Sequence, residues 1–426
     1  MGVWLSCWPN PPVSVCNVSS VTAPTEIELN ASIDSAARYL LQNCDKKGRF
    51  VYLRHRDRLV YYGKKYNLLR HAGTMYALAG YQALRPGQKM ADLLVRAAGY
   101  LRTFIKPVPQ AGSETMAIWT VPGKLGMGPP GARPFAKLGG SGLGLVALTS
   151  VESLNPGTVP LQELRGLGHF IRFMQTPEGH FYSKYYPDKG YETKWISLYY
   201  PGEACLGLLM LYDLDPDPRW LDAAARGLGY LARTRKGVRN VPADHWALIA
   251  TEKLLPMEAN LTDPAVSPQE LINHATQILK VMLAQQKTKW RDPCIIGSFF
   301  NDARTTPAAT RLEGMLAALN FLPESRSKLR ARLEHACDIG IAFLVRHQIR
   351  EGALKGGIPR AAHPLHKSKK NEKFNKRVGE VRIDYVQHAL SAMMGYQKLL
   401  TSRSIIKSHA SQEINHRRKP WGKTLY

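Results

Sequence analysis

The apolar positions of this chain fall into two helical patterns that alternate from one end to the other. Six segments run almost unbroken through Gly, Ala, Leu and Met, each opened by a polar cluster: 67–78, 139–148, 201–210, 244–250, 310–319 and 384–394. A helix that is apolar on every side is buried on every side. Between these segments lie six stretches, near 30–43, 90–106, 161–175, 217–235, 267–286 and 327–347, whose apolar residues recur along one stripe. Leu164, Leu167 and Ile171 show the i, i+3, i+7 spacing of a helix with one wet face. Dry helices alternating with wet ones predict an inner ring wrapped by an outer ring. The expected fold class is all-α, an (α/α)6 toroid of six helical hairpins. The polar openings of the inner helices would gather at one mouth.

The ends of the wet helices repeat a second pattern. Leu41–Tyr52, Met174–Lys184 and Val345–Leu354 each run from helix through Gln or a nearby polar residue to a turn glycine and a short extended piece. Glycine supplies the left-handed cap, and the aromatic or β-branched residues after it read as a strand. Met116–Pro122 with Arg133–Leu138 reads as a β-hairpin inserted just before an inner helix, where it would wall the mouth. This combination resembles the (α/α)6 toroid enzymes: the six-hairpin glycosidase-like and sugar-epimerase-like families, and the terpenoid-cyclase barrels with their Gln…Gly turns. The resemblance covers residues 27–402 and implies one toroid domain with its chemistry at the mouth. The acidic motifs of the cyclases are missing, and Asp213-Leu-Asp-Pro-Asp-Pro reads as a turn after an inner helix. The zinc-ligating Cys and His of other toroid families are missing too, so no metal and no other cofactor is expected. Residues 1–26 are expected to form a disordered leader and 403–426 a basic flexible tail.

Length alone would suggest two or three domains, but stacked hairpins share one core. No apolar run reaches the roughly 18 residues of a membrane span. With 58 Lys+Arg against 33 Asp+Glu, the net charge of +25 favours an anionic partner. No nucleic-acid-binding motif accompanies it. The six cysteines have no metal-site spacing, and Cys205 and Cys337 read as core thiols. A reducing, cytoplasmic location is expected.

Each polar opening has to be weighed against helix capping. Asp244 suits an N-cap. Thr310 with Glu313 forms a capping box, Asp384 with Gln387 imitates one, and Glu203 complements a helix dipole. Capping has no use for Arg70, His71, His245, Arg311 or His388, because cations are disfavoured at a helix N-terminus. A buried arginine without a partner is costly, so Arg70 and Arg311 require a carboxylate or an anionic ligand. One histidine on an apolar helix is ordinarily a satisfied core residue; three at corresponding ring positions point to function. Tyr66, Tyr199, Tyr200 and Tyr385 border the same positions, where a ring can stack on a sugar or a hydroxyl can move a proton. Basic runs at 46–65 and 350–377 precede the first and sixth inner helices. A closed ring makes those hairpins neighbours, so the runs would form one basic sector at the rim.

These readings converge on a carbohydrate-active enzyme working at the mouth on an acidic, uronate-bearing glycan. In an epimerase or lyase, His71, His245 or Tyr200 removes a proton from a sugar carbon. His388 returns it or protonates the leaving oxygen. Arg70 and Arg311, with Tyr66 and Tyr385, hold the substrate and its enolate-like intermediate. In a glycoside hydrolase, two of Glu203, Asp244, Glu313 and Asp384 act as acid and base. A third reading is a non-enzymatic scaffold that binds an anionic polymer or a protein through its basic seam. The histidines and arginines that capping leaves unexplained favour proton abstraction.

Overall fold

The computed structural model describes residues 22–60, 65–123, 126–127 and 129–417, the last helix by its backbone alone beyond residue 404. The elements are α1 (Glu26–Gln42), β1 (Leu53–His55), α2 (Leu68–Leu84), α3 (Gln88–Arg102), β2 (Ile105–Pro107), β3 (Met116–Thr120), β4 (Phe135–Lys137), α4 (Leu138–Leu154), α5 (Leu161–Phe173), β5 (Lys184–Tyr186), β6 (Gly190–Tyr191), α6 (Tyr200–Leu214), α7 (Pro218–Arg235), α8 (His245–Leu254), α9 (Pro268–Gln285), α10 (Thr305–Phe321), α11 (Ser327–His347), α12 (Lys369–Asn375), β7 (Glu380–Arg382) and α13 (Ile383–Arg417). Helices α2, α4, α6, α8, α10 and α13 pack in that order, and α13 closes against α2. The amphipathic helices α1, α3, α5, α7, α9 and α11 surround them. The toroid expected from the alternating pattern is the observed architecture.

Small residues set the spacing of the inner ring. A Cβ on Gly142 of α4 would lie 2.8 Å from the Ala204 backbone of α6, and one on Gly202 would lie 2.6 Å from the Ala247 nitrogen of α8. These helices therefore touch backbone to backbone, which larger side chains would prevent.

The turn pattern after the outer helices is a repeated clasp. The Gln175, Gln286 and Gln348 amides donate to the carbonyls of Ala223, Ala336 and Ser32, each on another outer helix of the ring. The glycines that follow, Gly179, Gly297 and Gly356, have positive φ and press on the carbonyls three residues further along, those of Arg226, Ile339 and Ser35. In the first hairpin Asn43 bonds its own helix instead, while Gly48 still meets Arg96 of α3. A Cβ on Gly179 would stand 2.3 Å from the Arg226 oxygen at a φ of 98°. Gly179→Ala is expected to destabilise the fold by about 2–4 kcal/mol, from αL strain plus the clash. Gly157→Ala, at φ 86° with open space around it, should cost about 1 kcal/mol. Urea unfolding midpoints check this; equal shifts for the two variants would refute the clasp.

The expected hairpin is β3 paired with β4, and it extends into a five-stranded antiparallel sheet in the order β2-β3-β4-β5-β6. A second ladder pairs β1 with β7, Leu53 opposite Arg382 and His55 opposite Glu380. It joins the first hairpin to the sixth, as ring closure requires.

Three expectations need correction. Helix α10 begins at Thr305, whose hydroxyl donates to the Pro359 carbonyl at 2.6 Å. Thr310 therefore sits in the second turn, and the Thr310–Glu313 capping box does not form. Asp384 lies inside α13, and its carboxylate binds arginines rather than backbone N–H groups. The boundary drawn at residue 402 falls within α13, where Arg403 pairs with Glu334 and Asp338. The leader expected at 1–26 lies outside the described residues up to Val21, and α1 starts from a capping box of Thr25 and Glu28. Cys205 and Cys337 are the buried free thiols expected, whereas Cys294 is disulfide-bonded. Among the described residues no helix is long and apolar enough to cross a membrane.

Candidate active site at the mouth of the toroid

The first two turns of five inner helices border a cavity of about 510 Å³. Arg70 comes from α2, Glu203 from α6, His245 from α8, Arg311 from α10, and Asp384, Tyr385 and His388 from α13; all seven line it. Glu313 stands directly behind, bonded to His388.

Two histidines face each other here with ring centroids 5.5 Å apart. His388 donates from Nδ1 to Glu313 Oε2 at 2.7 Å. Burial is the largest influence and lowers the affinity of this imidazole for a proton, but the charge and hydrogen bond of Glu313, together with the Asp384 charge, outweigh it and raise the pKa. His245 is 1% exposed and neither ring nitrogen has a hydrogen-bond partner. Burial, with the positive charges of His388 and Arg311 beside it, pushes its pKa well below the usual imidazole value. Burial and the neighbouring positive charges thus favour the neutral form of His245, and the Glu313 and Asp384 charges favour the protonated form of His388. The donor atoms of His245, Glu313 and His388 lie within 4.8 Å of one another, so this trio is also where a divalent cation could be held.

Asp384 is clamped. Arg70 Nε approaches its Oδ2 at 3.0 Å, and Arg382 Nη2 approaches the same oxygen at 2.9 Å. Burial raises the Asp384 pKa, and the two guanidiniums more than reverse that, leaving it below the ordinary carboxylate range. Arg70 also donates to the Tyr52 hydroxyl, and Arg382 lies 4.4 Å from the Tyr385 ring centroid. Arg70 thus has the partner that its burial demanded.

Arg311 has none of that kind. It donates to the Gln285 side-chain oxygen at 2.8 and 3.0 Å and to the Pro307 carbonyl at 3.1 Å, and it stacks on Phe300. Among the described residues no carboxylate pairs with it, and burial lowers its pKa. Arg304 and Arg360 line the same wall. Glu203 is buried with Oε2 unpartnered. Burial and the nearby Asp244 raise its pKa well above the usual range, which favours its neutral, proton-donating form.

Of the remaining sequence candidates, Tyr199 lines the cavity beside His245, and the others sit elsewhere. The Tyr66 hydroxyl bonds His71 Nδ1 at 2.7 Å, and His71 Nε2 donates to the Ala97 carbonyl at 3.0 Å. Both belong to a strut between α2 and α3, and burial depresses the His71 pKa to about 4. Asp244 is fully buried, caps Ala247 and pairs with Arg235 at 2.9 Å, which is the capping role. The Tyr200 ring covers Gly139 beside Glu203 and does not line the cavity. The sequence reading missed Arg304, Arg382 and Phe300. Arg304 directly precedes the true start of α10, and placing that start at Thr310 hid it.

No family model matches the sequence and no curated protein is detectably similar to it. Solved structures are similar in fold. A cellobiose 2-epimerase from Bacillus thermoamylovorans superposes with a TM-score of 0.60 at 13% identity, over 88% of this chain and 100% of that one. A D-mannose isomerase gives 0.56 at 14%, over 88% and 98%. An unsaturated glucuronyl hydrolase from Streptococcus agalactiae gives 0.52 at 12%, over 90% and 94%. The chain has the (α/α)6 toroid fold that these proteins share.

Proposed function

We propose that this protein is a carbohydrate-active enzyme that moves a proton at a sugar carbon next to a carbonyl, as an epimerase or lyase does. The observation that carries the reading is the pair of facing histidines at the cavity, ring centroids 5.5 Å apart, with His388 bonded to Glu313 and both ring nitrogens of His245 without a hydrogen-bond partner among the described residues. Neutral His245 takes the proton from carbon, breaking C–H and forming N–H. Protonated His388, held by Glu313, delivers one to the intermediate or to the leaving oxygen. The negative charge that develops in between meets Arg311 and the neutral Glu203 donor, both already oriented before reaction. The toroid neighbours named above include an isomerase and an epimerase, which supports carbohydrate chemistry at this mouth.

Acidic substrates fit the wall best. Arg304, Arg311 and Arg360 face the cavity together, and Arg311 and Arg360 have no carboxylate in ion-pair contact among the described residues. A uronate carboxylate would complete them. The hydrolase reading keeps one supporting observation, the protonated Glu203, which could act as a general acid. It lacks a second free carboxylate: Asp244 and Asp384 are held by arginines and Glu313 by His388.

A screen of acidic and neutral glycans separates these chemistries. Absorbance at 232 nm without hydrolysis marks elimination, and new reducing ends without absorbance mark the hydrolase. The pH profile adds an independent check. Turnover needs His245 neutral, a state lost only as pH falls through its depressed pKa. It also needs His388 protonated, a state lost as pH rises through a pKa above the usual imidazole value. The expected profile is a plateau between the two pKa values, with an alkaline limb that belongs to His388. An alkaline limb unmoved by Glu313→Gln would contradict the assignment; the predicted shift is toward lower pH.

A further inference from the structure

A second cavity, of about 980 Å³, lies on the other side of the cavity wall. The wall is the extended segment 359–362, which bridges to Val381 of β7 through Pro359 and to Arg304 through Ala361. Arg360 faces the first cavity, whereas Pro359 and Ala362 face the second. The far side of the second cavity is built from 51–60, around β1, and from 346–354, after α11. The first lies within the 46–65 basic run and the second overlaps the start of the 350–377 run, the two runs that ring closure was expected to bring together.

Five arginines line this second cavity, Arg54, Arg56, Arg58, Arg346 and Arg350, against only Asp57 and Glu351. None of the five is in an ion pair among the described residues. Arg54, Arg56 and Arg58 are exposed. Arg346 is half-buried; one guanidinium nitrogen donates to the Ile296 carbonyl at 2.8 Å, and the other is buried without a partner. Arg350 is satisfied only by the Val345 carbonyl and the Ser32 hydroxyl. Five guanidiniums with so little opposing charge repel one another, and an anion with several charges relieves that. Among the described residues the lining has no Phe, Tyr or Trp, the stacking platforms on which nucleic-acid bases are held.

We infer that this seam is a chain-binding subsite for an acidic polysaccharide, and that the substrate is a polymer whose reacting residue enters the mouth while neighbouring uronates lie across the seam. The inference rests on the reading of the mouth as a site for acidic sugars and extends it to the length of the substrate. Both cavities share one wall, so a single glycan can touch both.

The test uses the full chain and two probes, a di- and an octa-galacturonide, measured by calorimetry. The octamer is expected to bind at least about ten-fold more tightly than the dimer, with the advantage shrinking as salt rises. The Arg54→Ala/Arg58→Ala double variant, and separately Arg346→Gln, should erase the advantage and leave dimer affinity within about two-fold. His388→Gln should leave the advantage in place. Equal affinity for both lengths, or an advantage that survives both arginine variants, overturns the subsite. Equally tight binding of an oligothymidylate of matched charge assigns the seam to nucleic acid and overturns the glycan reading. The two levels fail separately. A dimer that neither binds nor reacts, beside an octamer that still needs Arg54, Arg58 and Arg346, sinks the reading of the mouth alone. A dimer turned over with no length effect sinks the subsite alone.

Discussion

His388→Gln is expected to lower turnover by about 10³-fold, within the range typical of losing a general acid, while substrate affinity changes little. The glutamine side chain can still donate to Glu313, so the cavity keeps its shape and its hydrogen bond. What it loses is a group that can release a proton and take it back. The physical basis is the pairing at 2.7 Å between His388 Nδ1 and Glu313 Oε2, which favours the protonated form of His388. Single-turnover and binding measurements on the same preparation separate the two effects. A variant that keeps more than about a tenth of wild-type turnover would remove His388 from the chemistry. Glu313 does not need to touch substrate in this account; it positions His388 and sets its charge, so Glu313→Gln should move the pH profile as well as the rate.

The second large effect concerns stability. Asp384→Ala is expected to cost about 3–5 kcal/mol, because it strands two guanidiniums that one buried carboxylate now neutralises. Asp384 is 8% exposed in its side chain and Arg382 17%, so water replaces the lost charge poorly. Arg70, at 30%, is better hydrated, which argues for the lower end of that range. The pH dependence has a definite sign. The folded-state pKa is depressed, so the stabilisation is fully present above the unfolded carboxylate value, about 3.9. It is lost as pH falls through the folded value. Wild type and variant should therefore differ most at neutral pH and converge in acid. Chemical denaturation at pH 7 and pH 3 measures both; a constant difference would show that the clamp is not electrostatic.

Architecture was legible because burial writes itself into composition: helices such as α4, apolar all round, had nowhere to sit except inside a ring. The turn clasps were half legible, since Gln and Gly could be read as a repeat while the carbonyls they meet belong to other helices. The site was harder. His71 and His245 look alike in sequence, each just after a polar opening. Counted from their N-caps, Asn67 and Asp244, they differ by three positions, about 300° of rotation on a helix. One meets Tyr66 and Ala97, and the other meets an open cavity. That difference is tertiary and no local pattern encodes it. The Asp384 clamp was misread for a similar reason. A carboxylate at a helix start suggests a cap, and only the β1–β7 ladder, which fixes Arg382 beside Tyr52 and Arg70, shows what it binds. Arg304 and Arg382 stand immediately before inner helices, outside the apolar runs and the polar clusters that open them.

The central claim is that His245 removes a proton from carbon. It is tested most directly by incubating the protein with acidic oligosaccharides in D₂O and following deuterium at each sugar carbon by NMR, with His245→Ala alongside. The account predicts deuterium at one carbon next to a carbonyl with wild type, in recovered sugar or unsaturated product, and none with the variant. Glycosidic cleavage with no deuterium at carbon, or equal exchange by both proteins, would contradict it.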